Sequence, residues 1–449
     1  MNITLVICFL FLVLCFLFLI KSLKKEKDFF HPKVFIIGYF LLQNIIYLIA
    51  ISRDPMAFSQ SVPYKLESSP DLAIINYLAV QGLFFFVMFL GMNIKTRRDN
   101  TIPALEINVS FYLRFFYCVL FITIITFFLF VINNGGLMAI VANWAISRTD
   151  VLSGNIEFYV VHNLSPILAG LSMFLYAKKQ ISRFKMVSVI LFVIFANIIL
   201  KGGRGDAIII ILTVLILYNY IVKKIDYKFL SRQVYLLLLI IPFFIIIPLL
   251  RNADNNEAFL EDPISFVFSE NRLGSDQNSG LMGGADLSRA YIPIFIIDHF
   301  NTNNFWYGAS FFHLLEAPIP RSWYPQKGPV DEGRYITQIV IGGNVAPPIS
   351  LNELNSSYSW PTRTIGTWYA NFGLLGVIIS AFLLGKIIAV YYNKMNVTRN
   401  PIWLLLYPSF LMTFQLSNLI LTNFLILFSI VMITYKGVKI FSSVRVSSN

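Results

Sequence analysis

Residues 186–224 read MVSVILFVIFANIILKGGRGDAIIIILTVLILYNYIVKK. Two apolar runs flank a polar block, KGGRGD, at 201–206. Neither run alternates polar and apolar residues as a half-buried strand would, so each reads as a helix in lipid. The tripeptide Arg204-Gly205-Asp206 matches a cell-adhesion signature, but that signature needs an exposed loop on a secreted domain. The first run has about fifteen residues, roughly 22 Å of helix, short of the ~30 Å hydrocarbon core. The second is about as short. The block is therefore expected to lie sunken toward the bilayer in a protein-lined cavity, where charge is costly and usually functional. Glycines at 202, 203 and 205 permit a tight turn and close backbone approach. Asp206 has a local explanation as a cap of the following helix. Arg204 has none, and is expected to contact a lipid-linked phosphate at the membrane surface.

The same pattern extends in both directions. Of 449 residues, 57% are hydrophobic and 13% charged, with a mean hydropathy of +0.70. This predicts an all-α, polytopic helical membrane protein, not a barrel with its period of two. Eleven spans are expected, at 2–20, 34–52, 72–94, 111–133, 155–177, 186–200, 207–222, 234–250, 365–392, 401–417 and 419–435. Lys/Arg clusters follow the first, third, fifth and seventh, and further basic residues follow the ninth and the last. All fall on one side if the amino terminus is outside and the carboxyl terminus inside. The net charge of +12 then reports topology, and nucleic acid is not implied. Cys8, Cys15 and Cys118 all lie in apolar runs, which suggests neither disulfides nor a thiolate metal site. The first apolar stretch lacks a small-residue cleavage site and reads as a retained span.

Three parts follow in chain order: helices 1–8 over 1–250, a large outer loop over 251–364, and helices 9–11 with a cytoplasmic tail over 365–449. The loop is rich in Pro, Gly, Trp and Tyr. Within it, AYIPIFIIDHF at 290–300 is too short to span and suits a helix on or dipping into the interface.

Twelve basic residues fall on the outer side: Arg53, Lys65, Arg148, Lys201, Arg204, Arg251, Arg272, Arg289, Arg321, Lys327, Arg334 and Arg363. Nine are arginine, whereas lysine dominates inside. Topology needs only positive charge. Arginine adds a planar fork that grips phosphate oxygens in pairs, so an anionic ligand such as a phosphate or diphosphate is indicated. Headgroup anchoring or ion pairing within the loop would account for the same residues. Among the histidines, His313 precedes Glu316 by three residues, so a helix would place both on one face. No third ligand is near, and no metal site is expected. His313, Glu316 and Asp298 are candidate general bases; an ion-paired loop residue is the plain reading of each. There is no phosphate-cradling Walker loop, dinucleotide fingerprint or serine elbow.

The segments IPRSWYPQKGP (319–329) and PTRTIGTWYANFGLLGVIISAFLLG (361–385), with the Gly/Arg hinge, resemble the O-antigen and oligosaccharide repeat-unit polymerases, the Wzy-type family of bacterial inner membranes. Many relatives carry Gly-Glu ahead of the NFG segment. This chain has Gly366-Thr367 there, so that acid has no counterpart in sequence.

The resemblance implies a multi-pass glycosyltransferase of the bacterial cytoplasmic membrane, acting at its periplasmic face without a cofactor. Its substrate would be an undecaprenyl-diphosphate-linked oligosaccharide, with a flippase and a chain-length regulator as partners. Arg204, Arg289 and Arg321 would stabilise the departing diphosphate. Lys201 and Arg334 would help bind it, with Trp323 and Tyr324 among the aromatics able to stack on sugars. Trp306, Trp360, Trp368 and Tyr369 are further aromatics there, the last two reading better as interface-belt residues. The proton acceptor is left open among Asp286, Asp298, Glu316 and Glu332. A ligase that transfers finished glycan, and a flippase, are the alternatives. A ligase deletion leaves polymer on the carrier, whereas a polymerase deletion leaves single units. A flippase would want a polar path through the spans, and few polar residues lie in them.

Overall fold

The computed structural model describes residues 2–61, 66–93, 109–142, 156–201, 204–225, 284–317, 319, 323–324, 326–354, 359–360, 362–398 and 401–444. All regular structure among them is helical. In chain order the α-helices are α1 (Ile3–Glu26), α2 (Pro32–Arg53), α3 (Pro55–Ser61), α4 (Pro70–Asn93), α5 (Val109–Asn133), α6 (Leu137–Ala142), α7 (Ile156–Ala177), α8 (Arg183–Lys201) and α9 (Arg204–Ile221). They continue as α10 (Gly284–His299), α11 (Phe312–Glu316), α12 (Gly333–Val340), α13 (Arg363–Thr398), α14 (Pro401–Thr413) and α15 (Asn418–Val444).

Local chemistry sets many of these boundaries. Before α1, the Asn2 side chain accepts from the Thr4 amide; after it, Lys27 turns left-handed at φ 51° and returns its N–H to Leu23 O. The His31 ring caps α2, where Pro32 occupies the first turn at no hydrogen-bonding cost.

Among the described residues, eight helices are long and apolar enough to cross a membrane. They coincide with eight of the eleven expected spans, and the chain is a polytopic helical membrane protein. Phe9, Leu14, Leu42, Phe86 and Phe121 are exposed on these helices, as apolar side chains facing lipid would be. The expected spans at 207–222 and 401–417 are shorter apolar helices, Ala207–Ile221 and Pro401–Thr413. The expected span at 234–250 lies outside the described residues. Cys8, Cys15 and Cys118 are free thiols.

Three expectations are corrected. The stretch at 290–300 does not present an apolar face outward. It belongs to the 16-residue α10, whose Ile292, Ile294, Phe295, Ile296 and Ile297 are all buried, with α4 and α2 packed against the helix. The helix before the hinge is longer than its fifteen-residue apolar run, because α8 reaches back to Arg183 and forward to Lys201, 19 residues or roughly 28 Å. Asp206 does not precede its helix. α9 starts at Arg204, which places Asp206 in the first turn.

The chain divides into two compact units. The first comprises Met1–Thr101, Met282–Asn396 and Thr413–Phe424. Within it α1 packs on α2 and α4, and α4 meets α13 through two glycines. A Cβ on Gly385 would stand 2.0 Å from Met88 O, and one on Gly91 would stand 2.5 Å from Phe382 O. Helices this close are held by dispersion and small residues, since lipid offers no hydrophobic drive between them. The second comprises Ile102–Leu281, Val397–Met412 and Leu425–Asn449. There α7 contacts α5, α8 and α9, and Phe127, Phe130, Val161, Ala196 and Leu200 form a buried cluster.

Candidate functional site

The site lies in the first unit, where four segments bring buried polar groups together. Its frame is a break in α13. Gly373 takes φ 59°, ψ −144°, a conformation open in practice only to glycine. The break frees carbonyls of the preceding turn. Those of Ala370 and Asn371 accept from the Trp306 and Tyr307 amides, each at 2.9 Å. The loop at 305–311 is thereby fastened along α13.

Asn371 ties the same loop by its side chain. Its Nδ2 donates to Ser310 Oγ at 2.8 Å and to Thr367 O at 2.7 Å, while its Oδ1 accepts from the Gly308 amide at 3.1 Å. From the opposite side comes Glu332, which immediately precedes α12 and is 1% exposed. Its Oε1 accepts from Thr367 Oγ1 at 2.6 Å and from the Asn418 amide at 2.8 Å. With its own hydrogen committed, Thr367 Oγ1 accepts from Thr362 Oγ1 at 2.8 Å. Burial pushes the Glu332 carboxyl up to about 7; the Thr367 and Asn418 bonds oppose the rise and the nearby Asp331 carboxylate adds to it.

Asn418 closes the ring. Its Nδ2 donates to Ser310 O at 2.7 Å, which fixes the orientation of the amide. Its Oδ1 is buried and has no hydrogen-bond partner among the described residues.

A second chain of polar groups adjoins the first. His313 is buried on the short α11, with Nδ1 3.1 Å from Glu316 Oε2 and Nε2 2.8 Å from Tyr335 Oη. The carboxylate can only accept, so Nδ1–H donates to it, while the Tyr335 hydroxyl that faces Nε2 also donates to Ile349 O at 3.0 Å. Burial pushes that phenol up to about 12 and keeps it protonated. Gly328 permits this packing, since a Cβ there would stand 2.0 Å from His313 Cε1. Glu332 and Tyr335, and likewise Ser310 and His313, lie one helical turn apart, so the two chains share a frame.

The sequence-based candidates scatter around this cluster. Glu316 is in it, paired with His313. Glu332, one of four acids that sequence could not rank, is at its centre. Asp298 is elsewhere and occupied: it accepts from the Glu67 amide at 2.6 Å and from Ser68, bracing the chain ahead of α4. Arg334 is half-buried on α12; burial raises the proton affinity of the neighbouring Asp331, and the Arg334 charge offsets only part of that rise. Trp323 is exposed at 81% and Tyr324 at 37%.

Lys201 ends α8, Arg204 begins α9 and Arg289 is in α10; their side chains, with that of Asp286, lie outside what the structure describes, as does all of Arg321. Lys327 is buried and donates to the carbonyls of Ala317 and Ile319, so it holds the loop. Trp306 is buried against Phe300 and Tyr335 and offers no open stacking face. Trp368 donates its N–H to Leu416 O at 2.7 Å, a bond within the protein where the sequence suggested the membrane belt. Thr367 was marked in sequence only as the place of a missing acid; Asn371, Ser310 and Asn418 were not singled out, and only their polarity amid apolar residues could have marked them.

Comparison with known proteins agrees with this architecture. The family model for O-antigen polysaccharide polymerase Wzy matches residues 1–270, more than half of the chain. That match includes the hinge at 201–206, whereas the segments at 319–329 and 361–385 lie beyond it. Comparison with curated proteins and with solved structures finds no match. A chain of membrane-crossing helices matched over residues 1–270 by this family model belongs to the O-antigen polysaccharide polymerase Wzy family.

Proposed function

We propose that the protein polymerises undecaprenyl-diphosphate-linked repeat units at the periplasmic face of the bacterial cytoplasmic membrane, with Glu332 as general base. The observation that supports this reading is the buried Glu332 carboxyl, pushed up to about 7 and set beside the unpartnered Asn418 Oδ1. A base whose proton affinity lies near the working pH is ionised often enough to act and basic enough to take a proton. Asn418 Oδ1 supplies an acceptor for a sugar hydroxyl. Among the other acids, Asp298 is committed to Ser68, and Glu316 orients His313. The carboxyl missing at position 367 is supplied in space by Glu332, across the 2.6 Å bond from Thr367.

In the proposed step, the acceptor hydroxyl oxygen at a non-reducing end attacks the anomeric carbon of the growing chain. The bond from that carbon to the diphosphate oxygen breaks, and its electron pair leaves with the lipid diphosphate. The hydroxyl proton passes to Glu332. Charge that builds on the diphosphate is met by Arg204, Arg289 and Arg321, with Lys201 and Arg334 binding the resting group. These guanidinium groups serve in place of a metal. Tyr324 is available to stack on sugar rings. The loop at 251–364 lies outside the cell membrane in this scheme, a flippase delivers the substrate, and a chain-length regulator sets the product.

Glycan ladders from a deletion strain complemented with wild type or Glu332→Gln test the reading. Wild type should restore long chains, and the variant should leave single repeat units on the core. Long chains from the variant would remove Glu332 from the mechanism. Polymer stranded on the carrier in the deletion strain would instead identify a ligase.

A further inference from the structure

The segment around α11 is turned inside out relative to a soluble protein. Its polar members face the protein: His313 is 2% exposed and Lys327 is buried, donating to the carbonyls of Ala317 and Ile319. Its apolar members face outward: Phe312 is 61% exposed, Leu315 75%, Ile319 40% and Trp323 81%. Phe312 and Leu315, three residues apart on α11, share a face, and Ile319 follows in the turn that returns its amide to Glu316 O at 2.9 Å. Isolated exposed apolar residues are ordinary; a clustered set above a buried histidine and lysine needs an apolar neighbour.

The structure indicates which neighbour. Phe311, next in the chain to Phe312, packs its ring 5.0 Å from Trp368 and 6.2 Å from Phe372 on α13. Gly308 approaches the Phe372 ring closely enough that a Cβ would stand 3.0 Å away. The next residues of α13 beyond the Gly373 break, Leu374 and Leu375, are exposed, and α13 is a membrane-crossing helix. The outward face of α11 therefore continues the lipid-exposed face of α13. A five-residue helix covers roughly 7.5 Å and cannot cross, but a short apolar face carrying a tryptophan suits the headgroup–acyl boundary.

We propose that Phe312, Leu315, Ile319 and Trp323 form a wedge inserted into the adjacent bilayer leaflet. The interfacial role that sequence assigned to 290–300 passes to these four residues. The wedge does not depend on the assignment of Glu332. It fixes His313, and through it Tyr335, at the height of the lipid headgroups.

The test uses the full chain with Cys8, Cys15 and Cys118 replaced by alanine, a single Leu315→Cys or Trp323→Cys carrying an environment-sensitive fluorophore, and phosphatidylcholine/phosphatidylglycerol liposomes. Nitroxide lipids quench at the headgroup, shallow in the chain or deep in the chain, and iodide quenches from water. Shallow nitroxides should quench both sites about twofold or more over deep ones, and also over iodide. Trp323→Glu in the Leu315→Cys protein should lessen the shallow quenching. Dominant iodide quenching would overturn the wedge. So would protection from every quencher, because the face would then be covered by protein, whether a partner or a second copy.

Discussion

The Thr367 hydroxyl donates a 2.6 Å hydrogen bond to the Glu332 carboxylate, joining α13 to the start of α12 where both side chains are fully buried. If this carboxylate takes the acceptor proton, Glu332→Gln keeps the shape and the Thr367 contact but loses the base. In vitro polymerisation should fall about a hundredfold or more while the protein stays folded. Thr367→Val removes a bond that favours the ionised form. Proton affinity should rise, and the ascending limb of the pH–rate profile should move to higher pH.

Stability should depend on pH through the same group. Glu332 binds its proton more tightly when folded than at its ordinary value of 4.5. Its contribution is therefore complete below 4.5 and is lost as pH rises toward about 7. Between those limits the difference is about 3 kcal/mol. Thermal unfolding in detergent between pH 5 and 8 should show a falling midpoint for wild type. Glu332→Gln should lose that slope; an unchanged slope would contradict the burial argument.

Gly373→Ala should damage the break in α13 in two separable ways. The backbone conformation costs a side-chain-bearing residue about 1–3 kcal/mol. A Cβ there would also stand 2.6 Å from Phe305 Cζ. In a Phe305→Ala background the penalty should shrink without vanishing, as a double-mutant cycle of unfolding midpoints would show.

The contact between α4 and α13 should tolerate no added methyl group. In Gly385→Ala and Gly91→Ala the obstacle is backbone carbonyl, which no rotamer change can move. Each should cost about 1–3 kcal/mol. Gly38→Ala on α2 is the contrast: its Cβ would meet only Leu19 Cδ1 at 3.8 Å. That change should be neutral or stabilise by up to about 1 kcal/mol through helix propensity.

Arg204→Ala should abolish long glycan chains while membrane insertion and expression remain normal. Arg204→Lys should not restore them, because an ammonium cannot pair with two phosphate oxygens at once. Chelation of divalent metals should leave in vitro polymerisation unchanged if guanidinium groups alone carry the charge of the leaving diphosphate.

Hydropathy placed most helices because membrane insertion is a local sum: about twenty apolar residues in a row satisfy it whatever lies elsewhere. The pair His313 and Glu316 was legible for a similar reason, since three residues on a helix make neighbours. The end of the span expected at 401–417 was not. Its helix stops at Thr413 because Leu416 and Asn418 turn their backbone amides to Thr364 and Glu332.

Sequence by itself determined that this chain is a multi-pass helical membrane protein with a polar segment late in its length, because composition over one stretch decides whether that stretch enters lipid. Only the tertiary structure decided which acid is buried in a polar cluster. Glu332 meets Thr367 across 35 residues and Asn418 across 86, and Asn418 reaches Ser310 across 108. Burial and hydrogen bonding at such separations depend on how whole helices pack, and that packing has no local signature.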